Sequence, residues 1–147
     1  MAKEFKGRVL AAGTWEGEAV VSHQGVNTLA TFQKSALAGK TEVTVSDQNN
    51  PDIYGKVITG KALCLPQTIG SPTGGLVIQS ICALGANPAA FLFSEHVDSL
   101  AASGIVLAKV WQKSDLIAVD LLGQEFLDTV KTGDRIRIDA DGTVTIL

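Results

Sequence analysis

Hydrophobic positions come in short runs at the start of the chain and take on a longer period further in. Gly7 to Gly13 is a short apolar strand between glycines, and Gly17 to Ser22 is a second one after the turn-like stretch Gly13 to Gly17. Two short strands joined through glycine predict a hairpin. Thr28 to Ser35 fits either a strand edge or a short helical turn. Thr41 to Val45 alternates and is β-branched, which predicts a strand. Asp47 to Asp52, containing Asn-Asn-Pro, is the strongest loop signal in the chain.

The middle reads differently. Lys61 to Leu65 is a continuous apolar run, short enough for a strand buried on both faces. The Gly- and Pro-rich stretch Pro66 to Gly75 follows, and a helix should begin inside it with Ser71 as N-cap and Pro72 at the first helical position. Val77, Ile78, Ile81, Cys82 and Leu84 keep helical spacing, Gly85 stands where a helix-ending glycine belongs, and Pro88 blocks continuation. Ala89 to Phe93 is a second buried strand, so strand, helix and strand make a βαβ unit with parallel pairing. A second helix is expected from Val97 to about Trp111, with Ser94 or Asp98 near its start and Gly104 as a point of close packing or a break. Leu116 to Val119 is a third buried strand, and Glu125 to Thr129 is one or two helical turns. Asp134 to Asp139 alternates cleanly and pairs with Thr143 to Leu147 across Asp141-Gly142 as a hairpin. The architecture expected is one α/β domain over residues 1–147: a small parallel βαβ core, with β-hairpins from both ends of the chain as a second, antiparallel layer.

Composition narrows the function. The 147 residues are 46% apolar and 18% charged, which excludes a disordered chain. A net charge of −3 gives no general pull towards nucleic acid, and Lys3, Lys6 and Arg8 read as a solvated N-terminus. No run approaches the length of a membrane span, and the apolar stretch Val9 to Ala12 is too short for a signal sequence. The expected location is cytoplasmic. Cys64 and Cys82 sit in apolar surroundings without metal-ligand spacing, so both read as buried free thiols.

In an open α/β sheet, ligands bind beyond the carboxyl ends of the strands. Here that is the turn Gln67 to Gly75, where glycines admit a ligand to the backbone and a helix start offers free N–H groups to an anion. The turn lacks the Gly-Lys-Ser/Thr ending of a P-loop, and no Gly-x-Ser-x-Gly elbow occurs. Locally, Ser71 reads first as a plain helix cap, although a hydroxyl at the positive end of a helix can also serve as a proton acceptor. His96 follows the second buried strand and could face the same cleft. An exposed His in a capping loop is its blander reading, and His23, Asn49 and Asn50 read chiefly as turn residues.

Gly17 to Ser22, Tyr54 to Leu63, Gly70-Ser71 with Gly74, Asn87 to Ala90, and Thr132 to Asp139 resemble, in that order, the small subunit of aconitase X, the swivel domain of a dehydratase related to aconitase. The resemblance runs from about Lys6 to Ile146. It implies a swivelling β/β/α domain that works with a large subunit as a heterodimer. It also implies a hydro-lyase reaction on a small hydroxy-carboxylic acid, with cis-3-hydroxy-L-proline and a mevalonate phosphate as family substrates. Ser71 would be the catalytic general base, and Gly70, Thr73, Gly74 and Gly75 would hold the substrate's carboxylate through backbone N–H groups. No cofactor is expected in this chain; an iron or iron–sulfur centre on the large subunit would act on the leaving hydroxyl. Two positions depart from the family pattern: Ile69 stands where many members have Arg, and Gly75 where many have Ser. A second reading is a non-catalytic binding or regulatory module that keeps the swivel fold. Retention of Ser71 within its glycine frame separates the two.

Overall fold

The computed structural model describes residues 3–28, 30–32, 42–69, 74–97, 99–111 and 115–147. Its frame is a mixed sheet of eight segments: β1 (Lys3–Lys6), β2 (Arg8–Ala11), β3 (Trp15–Val21), β5 (Ala62–Leu65), β7 (Ala90–Phe93), β8 (Ile117–Asp120), β9 (Arg135–Ile138) and β10 (Thr143–Ile146). A separate parallel pair is formed by β4 (Val26–Asn27) and β6 (Thr68–Ile69). Three helices have their bounds within the described residues, α1 (Gly74–Ala83), α2 (Ser99–Trp111) and α3 (Gln124–Thr129), and residues 28 and 30–32 are also helical, which favours the helical turn over the strand edge there.

The parallel part is the expected core. β5 pairs with β7, and β7 with β8, each parallel, with α1 and α2 as crossovers. All residues of these three strands are buried, as their unbroken apolar runs require when both faces are covered. β3 carries both patterns in seven residues. Trp15 to Glu18 alternates and pairs antiparallel with β9, while the buried run Ala19 to Val21 pairs parallel with β5. The antiparallel layer is thus continuous with the parallel core through one strand.

The N-terminal hairpin expected from Gly7 to Ser22 does not form. β2 pairs with β8, and β3 with β9 and β5. β1 adds to the C-terminal hairpin by pairing with β10. In the strand order β1-β10-β9-β3-β5-β7-β8-β2, the two end segments are consecutive in the chain and only Gly7 separates them. The sheet therefore closes on itself. Gly7 makes this corner possible: a Cβ there would lie 2.3 Å from the Asp120 carbonyl oxygen and 2.6 Å from Val119 Cγ1. Of Thr41 to Val45, the described residues form no full strand but a short antiparallel contact: Thr44 bridges Val57, Val45 N–H donates to Lys56 O and Ile58 N–H to Val43 O.

Alternation sorts the apolar side chains into two cores. Ala19, Val21, Cys64, Leu92, Val119, Ile136, Ile138 and Val144 face one of them with Phe126 and Leu127 of α3. Phe5 meets Phe126 edge to face, ring centres 5.4 Å apart. Val20, Leu63, Leu65, Phe91 and Phe93 face the other, against Ile78 and Ile81 of α1 and Ala101, Ile105 and Ala108 of α2. Gly104 is buried within α2, which packs directly on α1, so it marks close packing and not a break. α1 ends as its sequence requires. Gly85 adopts φ 71°, its N–H donates to Cys82 O, and Ala86 N–H donates back to Ile81 O, the bond pair of a Schellman cap.

Candidate functional site at the carboxyl edge of the parallel strands

Four parallel strand ends meet at one edge. β3 runs out into Ser22 and His23, β5 into Pro66 and Gln67, β7 into Ser94 to His96, and β8 into Asp120 and Leu121. The chain leaving β5 is pinned by the β4–β6 pair, with Val26 opposite Thr68, Asn27 opposite Ile69, and Val26 N–H donating to Gln67 O. Gly25 lies under Ile69, where a Cβ would come within 2.5 Å of Ile69 Cγ2. β6 closes at Ile69, and α1 opens at Gly74 and Gly75. Gly70, Ser71, Pro72 and Thr73 lie outside the described residues, and so does the expected cap of α1 by Ser71 and Pro72.

A charged network spans the β2, β7 and β8 ends. Asp120 is fully buried and takes both prongs of Arg8, from Nε at 2.9 Å and from Nη2 at 2.7 Å. Val97 N–H donates to the same carboxylate at 2.9 Å. His96 Nδ1 lies 2.6 Å from Val97 O, and its Nε2 lies 3.4 Å from Arg8 Nη2. The tautomer with the proton on Nδ1 satisfies both contacts. His96 is thus engaged by the backbone and by Arg8. Arg8, read from sequence as solvated, anchors the edge instead. The signal was available in part: Asp120 ends a buried strand, and a carboxylate there needs a cation.

At the β3 end, Asn50 Nδ2 donates to Ser22 Oγ at 2.9 Å, and Ser22 Oγ donates to Gln24 O. Asp52 accepts from His23 N–H at 2.8 Å and lies 3.2 Å from His23 Nδ1. These contacts fold the Asp47 to Asp52 loop against β3, as expected of turn residues. Asn50 Oδ1 and Ser94 Oγ are buried without a partner.

Cys64 and Cys82 are buried free thiols. Burial, and secondarily the charge of Asp134, pushes the Cys64 thiol far above its usual range, so it stays protonated and is a poor metal ligand. Among the described residues no group of His, Cys, Asp and Glu could hold a metal ion, so a metal centre does not fit what is described of this chain. None of the described helices is long and apolar enough to cross a membrane. The opposite end of the sheet has an open hollow of about 410 Å³ lined by Trp15, Asn87, Lys109 and Asp115. Lys109 Nζ donates there to Ala12 O and Leu116 O.

The fold is shared with a known structure, and the sequence with known proteins. The aconitase X swivel domain family matches residues 4–146. The phosphomevalonate dehydratase small subunit of Thermococcus kodakarensis is 30% identical over 145 residues, covering 98% of this chain and 96% of the relative. The protein of the same description from Methanosarcina mazei is 27% identical over 145 residues, covering 98% and 91%. The crystal structure of Thermococcus kodakaraensis aconitase X in its holo-form superposes with a TM-score of 0.80 at 28% identity, covering 99% of this chain and 98% of the other. With nearly its whole length matched, this chain belongs to the aconitase X swivel domain family.

Proposed function

We propose that the chain is the small subunit of an aconitase X-type dehydratase that removes water from a small hydroxy-carboxylic acid. The observation that carries this reading is the family match across residues 4–146, which includes the loop between β6 and α1. The relatives are described as small subunits, which calls for a large-subunit partner here. Any metal centre is assigned to that partner.

In this reading Ser71 Oγ, as an alkoxide favoured by the positive end of α1, takes the proton from the carbon next to the one bearing the hydroxyl. The C–H electron pair becomes the new double bond, the C–O bond breaks with the hydroxyl leaving as hydroxide, and the proton taken by Ser71 passes to it, so that water is released and the alkoxide is restored. Backbone N–H groups around Gly70, Thr73, Gly74 and Gly75 hold the substrate's carboxylate. Arg8 and Asp120 brace the neighbouring strand ends, keeping the edge that carries the loop rigid. Ile69, in the position where many family members have Arg, leaves an anion clamp to the partner or points to a substrate other than phosphomevalonate.

The test is anaerobic co-purification of the chain with the large subunit of its host, followed by assay of water loss from phosphomevalonate and from cis-3-hydroxy-L-proline. Ser71→Ala should lower kcat by about 10²–10⁴-fold while the complex still forms. A chain that emerges alone supports the binding-module reading. A complex in which Ser71→Ala keeps full activity places the base elsewhere.

A further inference from the structure

Leu121 is the one non-glycine among the described residues with positive φ, at 58°. That left-handed conformation is costly for a bulky L-residue, and glycine would adopt it freely. The backbone is held there by its surroundings: the N–H groups of Leu121, Leu122 and Gly123 donate to the carbonyls of Glu95, Phe93 and Ser94. The side chain gains little in return, because Leu121 is 47% exposed while Asp120 and Leu122 on either side are buried. Ile69, the last residue of β6, is 50% exposed on the same carboxyl edge. Between them stand the exposed Glu95 and His96. Two large apolar side chains thus flank a polar strip at the edge that holds the Ser71 loop.

We propose that Leu121, with Ile69 beside the catalytic loop, is an apolar anchor for the large subunit, seated in an apolar recess of that partner. The inference rests on the two-chain reading above. If Ser71 acts on a substrate held by another chain, that chain must approach this edge, and the strained leucine is already presented to it. A second exposed apolar stripe, Val106, Leu107 and Val110 on α2, belongs to a helix packed on the outer face of the sheet. Nothing ties it to the loop, and it serves as the internal comparison.

The experiment is calorimetric titration of the large subunit with the wild-type chain and with Leu121→Gly, Leu121→Asn and Val110→Asn, alongside sedimentation of each chain alone. Leu121→Gly and Leu121→Asn should weaken binding by about tenfold or more, as loss of an interface anchor does. The isolated Leu121→Gly chain should melt at the same temperature as wild type or higher, because glycine relieves the backbone, and Val110→Asn should bind normally. A stable wild-type complex that Leu121→Gly leaves unchanged overturns the anchor alone. So does a complex weakened only by Val110→Asn, or self-association of the isolated chain that depends on Leu121. A wild-type chain that binds no large subunit overturns the two-chain reading and the anchor with it.

Discussion

Asp120 ends a buried strand with its carboxylate out of water, and Arg8 Nε, Arg8 Nη2 and Val97 N–H all donate to it. The pair is asymmetric: the Arg8 side chain is 47% exposed and that of Asp120 is 0% exposed. Removing the cation therefore leaves a buried charge unpaired, whereas removing a surface partner would cost little. Arg8→Ala should destabilise the chain by about 3 kcal/mol, the lower end of the usual cost because half of the guanidinium already meets solvent. Arg8→Lys should recover only part of this, since a point charge cannot make both prongs of the fork. Urea unfolding measures both, and a loss below about 1 kcal/mol for Arg8→Ala would make this an ordinary surface pair. Arg8 was illegible in the sequence for a physical reason. A basic residue near a chain end looks solvated until its strand is known to lie against a distant buried carboxylate.

At the scale of elements, local patterns succeeded where the pairing partner was also local. The β9–β10 hairpin alternates, turns at Asp141-Gly142 and pairs as its sequence implies. α1 was legible in its apolar face and its C-terminal glycine cap, which depend only on neighbours within two turns. The N-terminal hairpin failed because the same alternation suits any partner, and β2 and β3 find theirs far away in sequence. Thr41 to Val45 differs: Val43 and Val45 are buried and Glu42 and Thr44 exposed, as its alternation implies, but its pairing is limited to one bridge, between Thr44 and Val57, so no sheet strand results among the described residues. The C-terminal turn also has an acid-sensitive part. Hydrogen bonds from Thr143, side chain first and then backbone, hold the Asp141 carboxyl below its usual range, with a smaller contribution from Lys6. The Thr143 N–H donates to Oδ1 at 3.0 Å. Because the folded value is depressed, the contribution is present above the ordinary aspartate range and is lost as pH falls through the folded value. A carbon-detected NMR titration should find Asp141 titrating below the ordinary aspartate range. Asp141→Asn should remove the acid-induced rise in amide exchange across β9 and β10. An ordinary titration midpoint for Asp141 would sink this account.

The whole molecule depends on a closure that no local window contains. β1 and β2 are one run of chain, but β1 joins β10 and β2 joins β8, so the two edges of the sheet are sealed by a single strand that changes partners at Gly7. Gly7 N–H donates to Gly142 O, which ties the corner to the C-terminal turn as well. A strand that changes partners must let another backbone approach where it bends, and here that backbone is the Asp120 carbonyl. The consequence reaches the candidate site, because the same segment of β8 carries the Asp120 carboxylate that Arg8 grips and leads into Leu121. The carboxyl edge was legible from the βαβ rhythm; the corner that braces it was not, since a glycine bounding a short strand looks like an ordinary turn residue. Gly7→Ala should cost about 3 kcal/mol, the upper part of the range for forcing an atom into a packed site, because the obstacles include backbone that cannot rotate away. Hydrogen exchange should then rise in β1, β2 and β8 together while β5 and β7 keep their protection. If Gly7→Ala instead loses protection only in β1, the two segments are independent edge strands and the sheet does not act as one closed unit.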